Sequence, residues 1–255
     1  MEIIIVDDNI QTNNETINKI SSFIVEILNQ LDTSHDCIDK IIFANENNYG
    51  NEIKKIDPSE LHTDTTLLKG MGKTLYNPKK NTSIIIYISV VFNNLVYILN
   101  NNIKEECKEI TLFLLLHEIG HCITNSKNKK VLKSAGDKKL SIPELNKYHF
   151  DIIIDEFSAN RNIIMFIKKD WILSELEESH LPTLFILTKE LVCSQRGKFI
   201  DNIWMLFKKI MDIGVFLIDY DISEYVLVFD ELQLPFDIVL PTLNLDFLSQ
   251  ANKVC

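Results

Sequence analysis

Three ionisable side chains sit at residues 117, 118 and 121 of the run "LFLLLHEIGHCIT", Leu112 to Thr124, among leucines and isoleucines. Burying such groups costs free energy unless they are paired or coordinated. His117-Glu118-Ile119-Gly120-His121 reads H-E-x-x-H. On a helix, residues four apart lie on one face, one turn apart, so both imidazoles can reach the same metal ion. Zinc takes neutral His nitrogens, and a catalytic zinc site has three protein ligands and a position open to water. Zinc bound there lowers the pKa of water and polarises a substrate carbonyl. Glu118, next to the first ligand, is placed to act as general base on the attacking water. The positions around the motif (Ile110, Leu112, Phe113, Leu115, Leu116, Ile119) are apolar, as in a central core helix.

A third ligand has to come from a neighbouring element. The stretch "YHFDIIIDEFSANRNIIMF", from Tyr148, has helical spacing and places Glu156, Ala159, Asn160 and Ile163 on one face. Glu156 is the expected ligand. Ala159 permits close approach, and Asn160, one turn on, is expected to hold a ligand side chain by a hydrogen bond. Asp155, Asp151 and His149 are the alternatives; Asp155 lies about 100° round the helix from Glu156, so only one of that pair should face the metal.

H-E-x-G-H followed by a helix with E-x-x-A-N resembles the ImmA/IrrE-type zinc metallopeptidases, a gluzincin-like group of zincins. The matching residues are His117, Glu118, Gly120 and His121, then Glu156, Ala159 and Asn160, within about residues 83–165. The resemblance implies an α+β, zincin-like fold, with a small twisted sheet, the H-E-x-x-H helix beneath it and a second helix that gives the Glu ligand. It implies cleavage of a regulatory protein by a metal-activated water. A His or Tyr often stabilises the oxyanion in zincins, and Tyr148 and His149, near the start of the ligand helix, are the nearest candidates. Two features depart from the pattern: the gap from His121 to Glu156 is long, and no helix-turn-helix segment is evident.

Other elements must position these residues. Residues 2–6 form a short β-rich run. Apolar residues from Ile17 to Leu31 recur at helical intervals, which predicts an amphipathic helix over 13–31. "CIDKIIFA" reads as a strand. Residues 45–82 are polar and contain several Gly and Pro, which predicts a long loop, with a hairpin to be considered around "GMGKTLYN". "SIIIYISVVF", residues 83–92, is the strongest strand signal. It precedes the motif helix, as the substrate-binding edge strand does in many zincins, but its lack of polar alternation also suits a buried central strand. The motif helix is expected over 103–123, a Lys-rich loop over 125–147 and the ligand helix over 147–168. Further helices are expected at 170–178, 184–193 and 199–217. This organisation reads as a metallopeptidase domain over 1–170 with a helical C-terminal extension, 171–255, packed on it.

The 255 residues, 46% hydrophobic and 24% charged, suffice for a full core. A net charge of −10 argues against a nucleic-acid partner. Five scattered cysteines without a C-x-x-C pair fit a reducing compartment. The opening "MEIIIVDDN" has no basic start, and no apolar run reaches the roughly 18 residues of a membrane span, so a cytoplasmic chain with no membrane partner is expected. Cys122 projects away from the ligand face and reads as core. "GMGKT" lacks the first Gly of a phosphate loop, since residue 67 is Leu. The expected function is zinc-dependent hydrolysis of a peptide bond in a protein or peptide substrate. The alternative is a catalytically silent zincin-like scaffold that binds a protein partner.

Overall fold

Short β-branched runs supply the sheet, and the residues between them supply its covering helices. The computed structural model describes residues 1–58, 70–128 and 141–180, except positions 8, 11, 32, 34 and 78. Beyond these it describes 182–184, 186–187, 205–206, 208–210, 212–213 and 215. The chain is mixed α/β and divides into two compact units, residues 1–145 and 146–255.

The first unit is built on four strands: β1 (Glu2–Val6), β2 (Ile38–Ala44), β3 (Gly72–Asn77) and β4 (Thr82–Ile88). Their order is β1-β2-β4-β3, with β1, β2 and β4 parallel and β3 antiparallel to β4. β4 is therefore a central strand, and β3 is an edge of the sheet. The edge-strand reading of residues 83–88 is corrected by this order, and the absence of polar alternation there is the burial of both faces.

Because side chains alternate along a strand, each strand feeds two cores. On one face, Ile42, Ala44, Leu75 and Ile86 pack with Tyr49 and Ile53 of α2 (Glu46–Ile56). On the other, Ile41, Phe43, Ile85 and Tyr87 are fully buried. Phe43 stacks on Tyr87 at 5.6 Å between ring centroids and meets Phe92 edge-on at 5.3 Å. Full burial of an aromatic side chain here contributes about 1.5–3 kcal/mol.

The helix α1 (Asn14–Gln30) matches the amphipathic reading, and the Asn13 side chain caps it by accepting from the Thr16 amide. Two helices differ from expectation. Residues 46–56 form α2 rather than loop: Asn45 caps its start by accepting from the Asn48 amide, and Tyr49, Glu52 and Ile53 are its buried positions. Residues 89–92, read as the end of a strand, open α3 (Ser89–Leu99), where Val91, Phe92 and Leu95 make a helical stripe. The hairpin considered at "GMGKTLYN" is present as β3 and β4.

The helix α4 (Glu105–Asn128) is apolar on most sides and packs on β3, β4 and α3. It is longer than the 103–123 expected. Ile110, expected in the core, is 44% exposed. The Tyr87 hydroxyl donates to the Leu115 carbonyl of α4 at 2.8 Å, which ties the helix to the sheet.

The second unit contains most of α5 (Ile142–Ile163), followed by a 3-10 turn (Ile164–Phe166), α6 (Lys169–Glu175) and a π-helical turn (Leu176–His180). α5 begins five residues earlier than expected because Ser141 and Glu144 cap it. The Ser141 amide and hydroxyl both donate to the Glu144 carboxylate, at 2.8 and 2.6 Å. Ile153, Phe157, Ile163 and Ile164 are buried, as are Ile172 and Leu176. Helical residues continue at 205–206, 208–210 and 212–213, inside the segment read as helix 199–217. The apolar stretch "EYVLVFDELQLPFDIVLP", from residue 224, lies outside the described residues.

Candidate metal centre

The helix α4 presents the motif in two directions. His117 and His121, one turn apart, bring their Nε2 atoms to 3.2 Å, with ring planes at 85°. Two nitrogens bound to one tetrahedral zinc at 2.0–2.1 Å are about 3.3–3.4 Å apart, so this spacing suits a shared ion. Phe113, one turn back, stacks on His117 with 6.0 Å between ring centroids. His121 is buried and His117 half-buried.

Glu118 points toward the sheet and is only 8% exposed. Its position depends on β3. Register pairs Gly72 with Tyr87 and Thr74 with Ile85, and directly opposed residues share a face. Gly72 and Thr74 therefore lie on the α4 side, while Lys73 and Leu75 face α2. The Thr74 hydroxyl lies 2.8 Å from Glu118 Oε2 and 3.0 Å from the Glu118 main-chain oxygen. A Cβ on Gly72 would fall 2.7 Å from Glu118 Cγ and 3.0 Å from both Glu118 Oε1 and Tyr87 Cδ1.

Two groups near Glu118, Tyr87 and Cys122, are fully buried. Burial, with the nearby Glu118 charge, pushes the Tyr87 hydroxyl well above its ordinary range. Burial does the same to the Cys122 thiol, which bears out its reading as a core residue. Cys37, Cys107 and Cys122 are free thiols.

In the second unit, Glu156, Ala159 and Asn160 occupy one face of α5, with Ala159 and Asn160 buried and Glu156 half-buried. Lys208 Nζ lies 3.6 Å from Glu156 Oε2 and 3.5 Å from Asp212 Oδ2. Burial alone would lower the Lys208 pKa, but the two carboxylates outweigh it and raise it. Burial raises the Asp212 pKa against the pull of Lys208 and Lys209. His117, His121 and Glu156 are a group that could hold a metal ion.

The alternative ligands have other placements. Asp151 pairs with Lys147 at 2.8 Å, one turn along α5. Asp155 is half-buried, about 100° from Glu156. Tyr148 and His149 lie within α5, their rings 5.8 Å apart. His149 shares the Glu156 face two turns back, about 10.5 Å along the axis.

Gly72, Thr74 and Lys208 were not singled out from the sequence. A signal existed for Gly72, since glycine inside a strand pattern marks close approach of another element. The Gly-Lys-Thr of "GMGKT" belongs to a strand, residues 72–77, and not to a phosphate loop. Lys208 gave no signal, because a charge on a helix usually faces water. Among the described residues, no helix is long and apolar enough to cross a membrane. No family model, curated protein or solved structure matches the chain.

Proposed function

We propose that this protein is a zinc-dependent metallopeptidase with a zincin-like arrangement, in which His117, His121 and Glu156 hold the metal and Glu118 is the general base. The observation that supports it most is the 3.2 Å approach of the two Nε2 atoms on the helix that also carries a buried Glu118. A buried imidazole and a half-buried one beside a buried carboxylate cost folding free energy, and a shared cation offsets that cost.

When bound, zinc would polarise the scissile carbonyl and make water a better nucleophile. Glu118 takes the proton as water attacks and then passes it to the leaving amine. The dry wall formed by Tyr87 and Cys122 strengthens the electrostatics around that proton transfer. An extended substrate would add to the outer edge of β3 through main-chain hydrogen bonds, the strand from which Thr74 reaches Glu118. The free thiols support a reducing compartment such as the cytoplasm.

Incubation of the zinc-loaded chain with a degenerate peptide library tests this reading. New amino termini should appear, vanish on chelation, return with zinc and be absent with Glu118→Gln. Equal cleavage by wild type and Glu118→Gln would contradict it.

A further inference from the structure

The contacts made by Glu118 with β3 are more specific than packing requires. The one hydroxyl proton of Thr74 lies within reach of two oxygens of Glu118, 44 positions away in sequence, and the shorter contact, 2.8 Å against 3.0 Å, is to the carboxylate. Two residues earlier, Gly72 leaves a slot that Cγ and Oε1 of the Glu118 side chain fill. The slot and the hydroxyl act on different parts of one side chain: Gly72 admits its stem, and Thr74 holds its Oε2. Tyr87 closes the far wall of the slot and is itself fixed to α4 at Leu115.

Resting on the metallopeptidase reading, we propose that Thr74 is a positioning residue for the general base and that Gly72 is the slot that makes its hold possible. Thr74 holds Oε2 and Gly72 leaves room for Oε1, so β3 sets the orientation in which the carboxylate meets the proton it must accept. A free glutamate samples several rotamers, and a base misplaced by about 1 Å can cost a hundredfold in rate. A hydrogen bond from a hydroxyl to a charged oxygen favours one rotamer of the carboxylate.

The geometry also explains why these residue types are needed. Alanine at 72 would place a Cβ 2.7 Å from Glu118 Cγ, so the carboxylate stem would have to move. Valine at 74 keeps the shape of threonine and removes the donor. Serine keeps the donor and removes the methyl group.

The test uses the full zinc-loaded chain and acetohydroxamate, a small chelator whose proton passes to a correctly placed carboxylate. Zinc content and acetohydroxamate affinity are measured for wild type, Thr74→Val, Thr74→Ser, Gly72→Ala and Glu118→Gln. Thr74→Val and Gly72→Ala should keep one zinc and lose affinity by about ten- to a hundredfold, in the direction of Glu118→Gln. Thr74→Ser should stay within about threefold of wild type, as expected when the hydroxyl alone is retained. Wild-type affinity in Thr74→Val, with Glu118→Gln weakened, would overturn the role of Thr74 and leave the peptidase reading standing. Loss of zinc together with affinity in Thr74→Val would overturn it as well, by making Thr74 structural. No zinc in wild type, or no effect of Glu118→Gln, would overturn the peptidase reading and this inference with it.

Discussion

In the first unit, Glu118 is buried beside a neutral hydroxyl, that of Thr74. In the second unit, Glu156 is half-buried beside an ammonium, Lys208, which it shares with Asp212. A hydroxyl donates and accepts, so it can partner a carboxylate that is charged or protonated. An ammonium only donates, and it favours the charged form. The first environment suits a group that moves a proton, and the second suits a group that stays anionic, as a metal ligand must. On the proposed function these differing partners would match differing tasks, Glu118 as base and Glu156 as ligand.

The comparison can be broken at each end. The largest effect is expected for Glu118→Gln, which should lower turnover by about 10²–10⁴-fold and leave zinc content unchanged. A parallel loss of zinc would place Glu118 among the ligands and remove the contrast. Next comes Lys208→Met, expected to weaken zinc about ten- to a hundredfold in a chelator competition, the usual effect of removing a group that supports a ligand. Unchanged zinc affinity would confine Lys208 to balancing the charge of Asp212.

A pH effect is expected from the second unit. Burial, helped by the nearby Lys209 and Lys208 charges, lowers the His180 pKa from 6.5 to about 4. Between those values the unfolded chain binds more protons than the folded one, so stability rises with pH. The contribution is fully present above about pH 6.5 and is lost as pH falls toward about 4. Thermal melts followed by circular dichroism should show this slope in wild type and a flatter one in His180→Gln. The smallest effect is expected for Tyr87→Phe, which removes the bond to Leu115 and should cost about 1 kcal/mol in urea unfolding. A cost near zero would mean that packing alone holds α4 on the sheet.

Local features of the chain were legible in its sequence. H-E-x-x-H needs only the geometry of one helix, and the i, i+4 spacing fixes that without tertiary information. α1 and β2 have strong periodic patterns and sit as read, apart from a residue or two at their ends. α2 was missed because only three of its eleven residues are buried and Gly50 interrupts it. The Val90-Val91-Phe92 stretch has strand propensity, but Val91 and Phe92 pack with Leu95 in a helical stripe, and burial outweighs propensity. The partners of Glu118 could not be read, because they depend on the register of β3 against β4. A one-residue slip would turn Thr74 to the opposite face. The cation beside Glu156 depends in the same way on the packing of residues some 50 positions apart.

Zinc content of the purified chain tests the central claim most directly, measured by elemental analysis on wild type, His117→Ala, Glu118→Gln and Glu156→Ala. One zinc per chain in wild type and Glu118→Gln, and loss in the other two, is the predicted result. It would separate the three ligands from the base. Absence of zinc from wild type after supplementation would contradict the account, and His117 and His121 would then be a hydrogen-bonded pair within the core of α4.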